Sequence, residues 1–168
     1  MIIGPRRLVL IGTIAAVALA IIFYPLIVYT PFDPQKVSFE LSKVELISGS
    51  QGEQKLVLQP SLKITNANDL TLTTSKIDYE LFADGTSVGT DTISYEDVPP
   101  NGRPAFFPNQ PVTVRDTDGL ALQYSDANAD MFNKILSNSA DIEWSIKGSA
   151  SVESGTTLEE TQFSDKLD

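Results

Sequence analysis

An all-β, immunoglobulin- or fibronectin-like sandwich carrying one inserted helix, behind a single N-terminal transmembrane helix, is the architecture this 168-residue sequence predicts. Three observations carry it. Leu8 to Thr30 form 23 positions without a charge, directly behind Arg6 and Arg7. Beyond residue 36, apolar and polar residues alternate in about seven segments separated by Gly, Pro, Asn and Asp, the pattern of half-buried strands. Between Gly119 and Asn138 the apolar spacing changes to three and four, the period of an amphipathic helix.

At about 1.5 Å per residue the uncharged run reaches roughly 34 Å, enough for a hydrocarbon core of about 30 Å. Two other readings compete with a retained anchor. A cleaved signal peptide has a shorter apolar core of about 7–15 residues and a small-x-small cleavage site, which Phe23 to Tyr29 do not provide. A pilin also opens with a basic leader and an apolar helix, but its leader ends on a small residue, and here Arg7 stands before Leu8. Pro25 kinks the span or marks its exit, since Pro removes a backbone donor. Phe23, Tyr24, Tyr29 and Phe32 gather at that end as an aromatic belt would. Arg6 and Arg7 flank one side, so Arg6, Arg7, Tyr24 and Tyr29 are the expected anchor flanks. Gly12, Ala15, Ala16, Ala18 and Ala20 would permit close approach of another helix, and Gly12, Ala15, Ala16 and Ala20 are the candidate contact face.

All 22 acidic residues and only ten of the 12 basic ones follow residue 30, so that portion carries a net charge of −12. An acidic domain has little affinity for nucleic acid or anionic lipid. The expectation is a cell-membrane protein with residues 1–7 cytoplasmic, 8–30 in the bilayer, 31–36 a connector and 37–168 an extracytoplasmic domain. Cysteine is absent, so packing replaces disulfides.

Thr30-Pro31-Phe32-Asp33-Pro34 makes a stiff connector. Val37, Phe39 and Leu41 then alternate with polar residues, and the phase slips at Lys43, which a bulge explains. Lys55 to Thr65 is a second strand, with Pro60 pointing to an edge or a bulge. Ile77, Tyr79, Leu81 and Ala83 form the clearest strand, ending at Asp84-Gly85, a pair suited to a tight hairpin. Its partner is Ser87 to Tyr95, followed by a turn at Pro99-Pro100-Asn101-Gly102. Phe106, Phe107, Val112 and Val114 give a further strand interrupted by Pro108 and Pro111. Leu120, Tyr124, Ala127, Met131 and Ile135, with Phe132 and Leu136, line one face of a helix over 119–138. Asp141 to Val152 and Thr157 to Phe163 are the last two strands.

In this order the segments resemble the late-embryogenesis-abundant group-2 family, also called the water-stress-and-hypersensitive-response domain, over about residues 37–166. Leu62-Lys63-Ile64-Thr65-Asn66-Ala67-Asn68 is similar to the family's strand ending in an Asn-Pro-Asn turn. Ala67 replaces the Pro, so Asn66 and Asn68 would hold a less rigid turn by Asx chemistry. Ile77 to Gly85 with Val88-Gly89 resembles the family's hairpin. Val98-Pro99 through Val114, the 119–138 segment, Trp144 to Gly148 and Phe163-Ser164 follow its later sequence. The resemblance implies a sandwich with a helix, an N-terminal tether, and a binding or stress-protection module rather than an enzyme.

The residues themselves contain no His and no Cys, which removes the commonest general base and thiol chemistry. Asp126-Ala127-Asn128-Ala129-Asp130 opens like a calcium loop, but Met131 and Ser137 stand where Gly and Glu are required, so a solvated helix face is the better reading. Glu96-Asp97 and Glu159-Glu160 are adjacent pairs whose members face opposite ways in a strand. Trp144 reads as a core anchor. No nucleophile elbow or phosphate loop occurs, and no catalytic, metal or cofactor residue is expected. The expected partners are the bilayer through residues 8–30 and another membrane or envelope protein. An accessory subunit of a membrane complex, a filament subunit and a lipid carrier are the alternatives.

Overall fold

Alternating side chains build nine strands in a computed structural model that describes residues 5–28, 31–50, 52, 54–137 and 141–167. The chain divides into two compact units, Met1–Pro31 with Gly155–Thr157, and Phe32–Ser154 with Leu158–Asp168. The first unit contains the helix α1, Pro5–Val28, which runs on through Pro25. Its side chains are described from Val9 to Tyr24, and all of these are exposed. Among the described residues no helix is long and apolar enough to cross a membrane, so the expected span over 8–30 has no structural support.

The second unit is a pair of sheets. One sheet orders β1 (Val37–Ser50), β2 (Lys55–Asn66) and β6 (Val112–Arg115), with β7 (Leu120–Gln123) also on β2. The other orders β4 (Thr86–Ser94), β3 (Leu72–Ala83), β8 (Trp144–Ser154) and β9 (Thr157–Lys166), with β5 (Ala105–Phe106) on β3. Phe39, Leu41, Leu56, Leu58, Leu62, Ile64, Val114 and Leu122 from the first sheet share one core with Ile77, Tyr79, Leu81, Ile146, Ala150 and Val152 from the second. The all-β class therefore stands, with nine strands among the described residues where about seven were expected.

Several boundaries move for local reasons. The bulge expected at Lys43 lies one residue earlier, because Leu41 pairs with Leu62 and Lys43 with Ser61, leaving Ser42 over. Asp84 and Gly85 take φ of 49° and 76°, as a tight hairpin requires. Pro60 is neither on an edge strand nor at a gap in β1 pairing: it sits opposite Val44 in the central strand β2. It is tolerated because the far side of β2 changes partner there, pairing Ser61–Ile64 with β6 and Lys55–Leu58 with β7. No ladder on that side needs the donor that Pro lacks.

Two corrections are larger. The strand expected through Phe106 and Val114 is two strands in different sheets, since Pro108 and Pro111 break the ladder and the chain crosses over between them. The helix expected over 119–138 is shorter. Leu120 and Leu122 pair with Leu58 and Leu56 as β7, and only Ala129–Leu136 is helical, as α2, with Phe132 and Ile135 buried. Leu120, Leu122 and Tyr124 fit period two, and Leu120, Tyr124 and Ala127 fit the helical period; the open side of β2 decided between them.

Gly148 of β8 is required by packing. A Cβ there would stand 2.2 Å from the Asp78 carbonyl oxygen and 2.6 Å from Cζ of Phe163. Phe163 in turn stacks on Phe39 of the opposite sheet, with ring centroids 4.8 Å apart. Gly148→Ala should therefore cost about 1–3 kcal/mol, the usual penalty of overpacking, read as a lower denaturant midpoint with unchanged slope. A midpoint equal to that of the wild type would show that the Phe163 stack does not depend on the missing side chain.

Candidate functional site

Three polar constructions interrupt the otherwise apolar interior and margins of the sandwich. The first is at the end of β2. Asn66 is fully buried, and its Nδ2 donates to the carbonyl oxygens of Leu70 and Phe106, each at 2.8 Å. Its Oδ1 accepts from the backbone N–H of Asn68 at 2.9 Å and from Asn68 Nδ2 at 3.1 Å. Asn68 reaches onward to the connector: its Oδ1 accepts from the Asp33 N–H at 2.9 Å and its Nδ2 donates to the Asp33 carbonyl at 3.0 Å. The Asp33 carboxylate then caps the short 3-10 turn Pro34–Lys36 by accepting from the Gln35 N–H at 3.0 Å.

Between the two asparagines, the Ala67 N–H donates to the Lys36 carbonyl at 2.8 Å. A proline could not make that bond. The residue expected to loosen the turn thus adds a tie to the connector. Asn66 and Asn68 act as a structural knot that fixes where the domain begins, with every side-chain amide group engaged.

The second construction spans the two sheets. Tyr79 of β3 donates its hydroxyl to Oδ2 of Asp116, which is buried in the turn between β6 and β7. Oδ1 of Asp116 accepts from the backbone N–H groups of Asp118 and Gly119 at 3.1 and 3.0 Å. The Asp116 backbone is held by β2: its N–H donates to the Pro60 carbonyl at 3.3 Å, and its carbonyl accepts from Gln59 Nε2 at 2.8 Å. Burial, then the bond to Asp116, pushes the Tyr79 phenol well above its ordinary value. The Tyr79–Asp116 bond ties β3 of one sheet to the β6–β7 turn of the other. Tyr95 is also raised, by burial and then by the Asp116 charge.

The third is a groove of about 820 Å³ across β4, β3, β8 and β9. Its lining includes Asp78, Glu80, Asp91 and Lys147, together with the hydroxyl-bearing Thr90 and Thr92. Thr92 Oγ1 donates to Asp78 Oδ1 at 2.6 Å, and Lys76 pairs with Asp78 Oδ2 at 2.8 Å. Ser87 Oγ donates to Glu80 Oε1 at 2.5 Å. These groups form a polar surface on which Lys76 stands beside Asp78 and Lys147 opposite Glu80.

The remaining sequence candidates separate. Gly12, Ala15, Ala16 and Ala20 lie exposed on α1, and Gly12 has open space where a side chain would stand. Tyr24 is 67% exposed. Arg6 and Arg7 belong to α1, but their side chains, like all of Tyr29, lie outside the described residues. Asp126, Asn128 and Asp130 line one small pocket with Thr86 and Met131. Asn128 closes its own turn, accepting from the Ser125 N–H and donating to the Gln123 carbonyl, each at 2.8 Å. Among the described residues no group of acidic side chains could hold a metal ion. Trp144 is half-buried against the core. Sequence reasoning missed Asp33, Tyr79 and Asp116 as polar partners. Asp116-Thr117-Asp118-Gly119 did carry a signal, since Asp two residues before Asp-Gly is an Asx-turn pattern.

The sequence matches no protein-family model and no curated protein. Solved structures do share the architecture. The protein AT1g01470 from Arabidopsis thaliana is similar with a TM-score of 0.50 at 9% identity, over 82% of this chain and 83% of that one. A putative late embryogenesis abundant protein gives 0.43 at 12% identity, over 96% and 86%. A protein from Archaeoglobus fulgidus gives 0.43 at 15% identity, over 75% and 93%. At 9% identity the likeness to AT1g01470 speaks for fold alone.

Two measurements check the polar constructions. Ala67→Pro, although it restores the pattern of the resembled family, should destabilise the domain by about 1 kcal/mol or more through loss of the bond to Lys36; a raised melting temperature would contradict the knot. For Tyr79 the folded phenol stays protonated above its ordinary value of 10.0. Its contribution to stability is therefore constant below that pH and is lost above it, where the unfolded chain ionises first. Tyr79→Phe should lower stability by about 1.5–3 kcal/mol at neutral pH and flatten the alkaline decline, leaving the smaller slope due to Tyr95. An unchanged slope between neutral and strongly alkaline pH would rule out the cross-sheet bond.

Proposed function

We propose that this chain is a non-enzymatic, membrane-tethered binding module. Its sandwich is an acidic domain held outside the cytoplasm. The observation that carries the reading is the knot of Asn66, Asn68 and Asp33. It ties down backbone only three residues beyond the uncharged run Leu8–Thr30. The bonds at Asp33, Lys36 and Ala67 make the residues just beyond the uncharged run part of the folded sandwich.

The tether itself is supported by the length and neutrality of that run and by the exposure of Val9, Leu10, Ile11, Ile14, Val17, Leu19, Ile21 and Ile22 on α1. Apolar side chains in such number are stable beside lipid or another helix, not in water. Arg6 and Arg7 before the run favour a cytoplasmic N-terminus. The polar constructions in the sandwich are consumed by structure, which favours binding over catalysis. The resemblance to the late-embryogenesis-abundant group-2 family supports a protective role under water stress.

A second reading, an accessory subunit of a membrane complex, is favoured by the small-residue face Gly12, Ala15, Ala16 and Ala20 on α1. Full-length protein is expected in the membrane fraction and resistant to alkaline carbonate extraction; release by carbonate would exclude the tether. Gentle detergent extraction with sizing then divides the two readings. A stoichiometric complex supports the subunit, and a monomer or a substoichiometric partner supports the tethered binder. Turnover of ester, phosphate or glycoside substrates that a point substitution abolishes would overturn both.

A further inference from the structure

Charge is spread unevenly over the sandwich. Beyond residue 30 the chain carries 22 acidic and ten basic residues, yet the outer face of the first sheet reverses that balance. Leu56, Leu58, Leu62 and Ile64 of β2 are buried in the core, so the alternate residues Lys55, Gln59, Ser61 and Lys63 point outward with their partners on β1 and β6. On that face Lys43, Lys55, Lys63 and Arg115 stand against Glu40 and Glu45. Lys63 pairs with Glu40 at 2.7 Å and Lys43 with Glu45 at 2.5 Å, in side chains that are all at least 35% exposed. Arg115 is exposed and forms no hydrogen bond or ion pair among the described residues. Its charge still reaches Glu45, whose carboxyl is held below its ordinary value by the bond from Lys43 first and by a smaller pull from Arg115.

Ser61 lies at the centre of these cations. It is opposite Lys43 on β1 and opposite Arg115 on β6, with Lys63 two residues further along its own strand. It is 2% exposed, and its Oγ has no hydrogen-bond partner. Ser42 Oγ donates to the Ser61 carbonyl and leaves the Ser61 hydroxyl unmet. A buried hydroxyl without a partner is uncommon in a folded protein and marks a place where a ligand can supply one. Neighbouring strands are spaced by about 4.8 Å, so the backbones of Lys43 and Arg115 stand roughly 10 Å apart across a short serine. Both side chains are long enough to fold over that gap or to swing clear of it. Exposed ion pairs such as Lys43–Glu45 exchange partners at little cost.

We propose that Ser61, Lys43, Lys63 and Arg115 form a site for a tetrahedral oxyanion, a phosphate or sulfate group, on the outer face of the first sheet. Ser61 donates its hydroxyl to one oxygen, the Arg115 fork donates to others, and the Lys43 and Lys63 ammonium groups approach from β1 and β2. Donors arriving from three strands suit a group whose oxygens point in several directions; a planar carboxylate meets fewer of them. Glu45 and Glu40 compete for the two lysines and limit the affinity. A free anion and a lipid headgroup present the same oxygens to these donors. The site belongs to the sandwich and does not depend on the tether, so it goes beyond the binding reading above.

The test follows amide chemical shifts of the full chain in dodecyl maltoside micelles during titration with sodium phosphate, with ionic strength held constant by sodium chloride. Saturable shifts are expected at Lys43, Ser61, Lys63 and Arg115. Arg115→Gln should raise Kd about tenfold or more, and Ser61→Ala about threefold or more, the usual scales for a charged and a neutral hydrogen bond. Ser61→Ala should not lower the melting temperature in chloride alone, because the fold makes no use of that hydroxyl. Glu45→Gln, which removes a competitor, should tighten binding, and Lys147→Gln on the other sheet should leave it unchanged. A second series adds dioleoylphosphatidic acid to the micelles, with dioleoylphosphatidylcholine as control. Tighter binding of phosphatidic acid than of free phosphate assigns the site to a headgroup, and the reverse assigns it to a soluble anion. No saturable shift in either series, equal losses from Lys147→Gln and Arg115→Gln, or indifference to both Arg115→Gln and Ser61→Ala would overturn the proposal. A lower melting temperature of Ser61→Ala in chloride would also overturn it, since the hydroxyl would then serve the fold. Carbonate extraction is read separately, so the tethered module stands whichever way the titration falls.

Discussion

Two sheets without a disulfide need something other than apolar contact to fix how they face one another, and here that is the bond between Tyr79 and Asp116. Apolar faces stick but do not specify register, because burial is non-directional. A buried hydroxyl that must find one carboxyl group is directional, and leaving either unpaired costs more than a misplaced methyl. Asp116 shapes the β6–β7 turn with one oxygen and holds β3 with the other. Through Gln59 and Pro60 the same residue marks where β2 changes partners. The stack of Phe163 on Phe39 and the bond from Leu41 to Asp165 repeat the cross-sheet link at another margin.

The asparagine knot follows the same logic at the domain's entrance. Buried amides are stable only when their donors and acceptors are all met, so Asn66 and Asn68 dictate the path of Asp33 as firmly as they dictate their own turn. Substituting Ala for the resembled family's Pro exchanges one kind of restraint for another: a fixed φ gives way to a backbone hydrogen bond.

Much of the sandwich was legible in residue order. Ile77, Tyr79, Leu81 and Ala83 alternate so strictly that only a strand accommodates them, and Asp84-Gly85 can take the positive φ that few other pairs tolerate. The slip at Lys43 located a bulge to within one residue. Local chemistry decides these features, so they need no partner to be read. Segments with two admissible periods were not legible. Leu120 and Tyr124 fit either period, with Leu122 in a strand or with Ala127 in a helix, and β7 exists because Leu56 and Leu58 offer a free side of β2.

The sequence by itself determined the all-β class, the main strands and hairpin, the Asx turn at Asn66 and Asn68, and the chain's division into an uncharged run and an acidic domain. Each depends on side-chain period, backbone preference or charge within a few residues. Tertiary structure alone decided that Pro60 sits in a central strand, that Phe106 and Val114 belong to different sheets, that Ala67 serves the connector and that Tyr79 meets Asp116. These are contacts between residues far apart along the chain. Their partners are chosen by which donors, acceptors and strand edges remain unmet once the two sheets close, and local spacing carries no record of that choice.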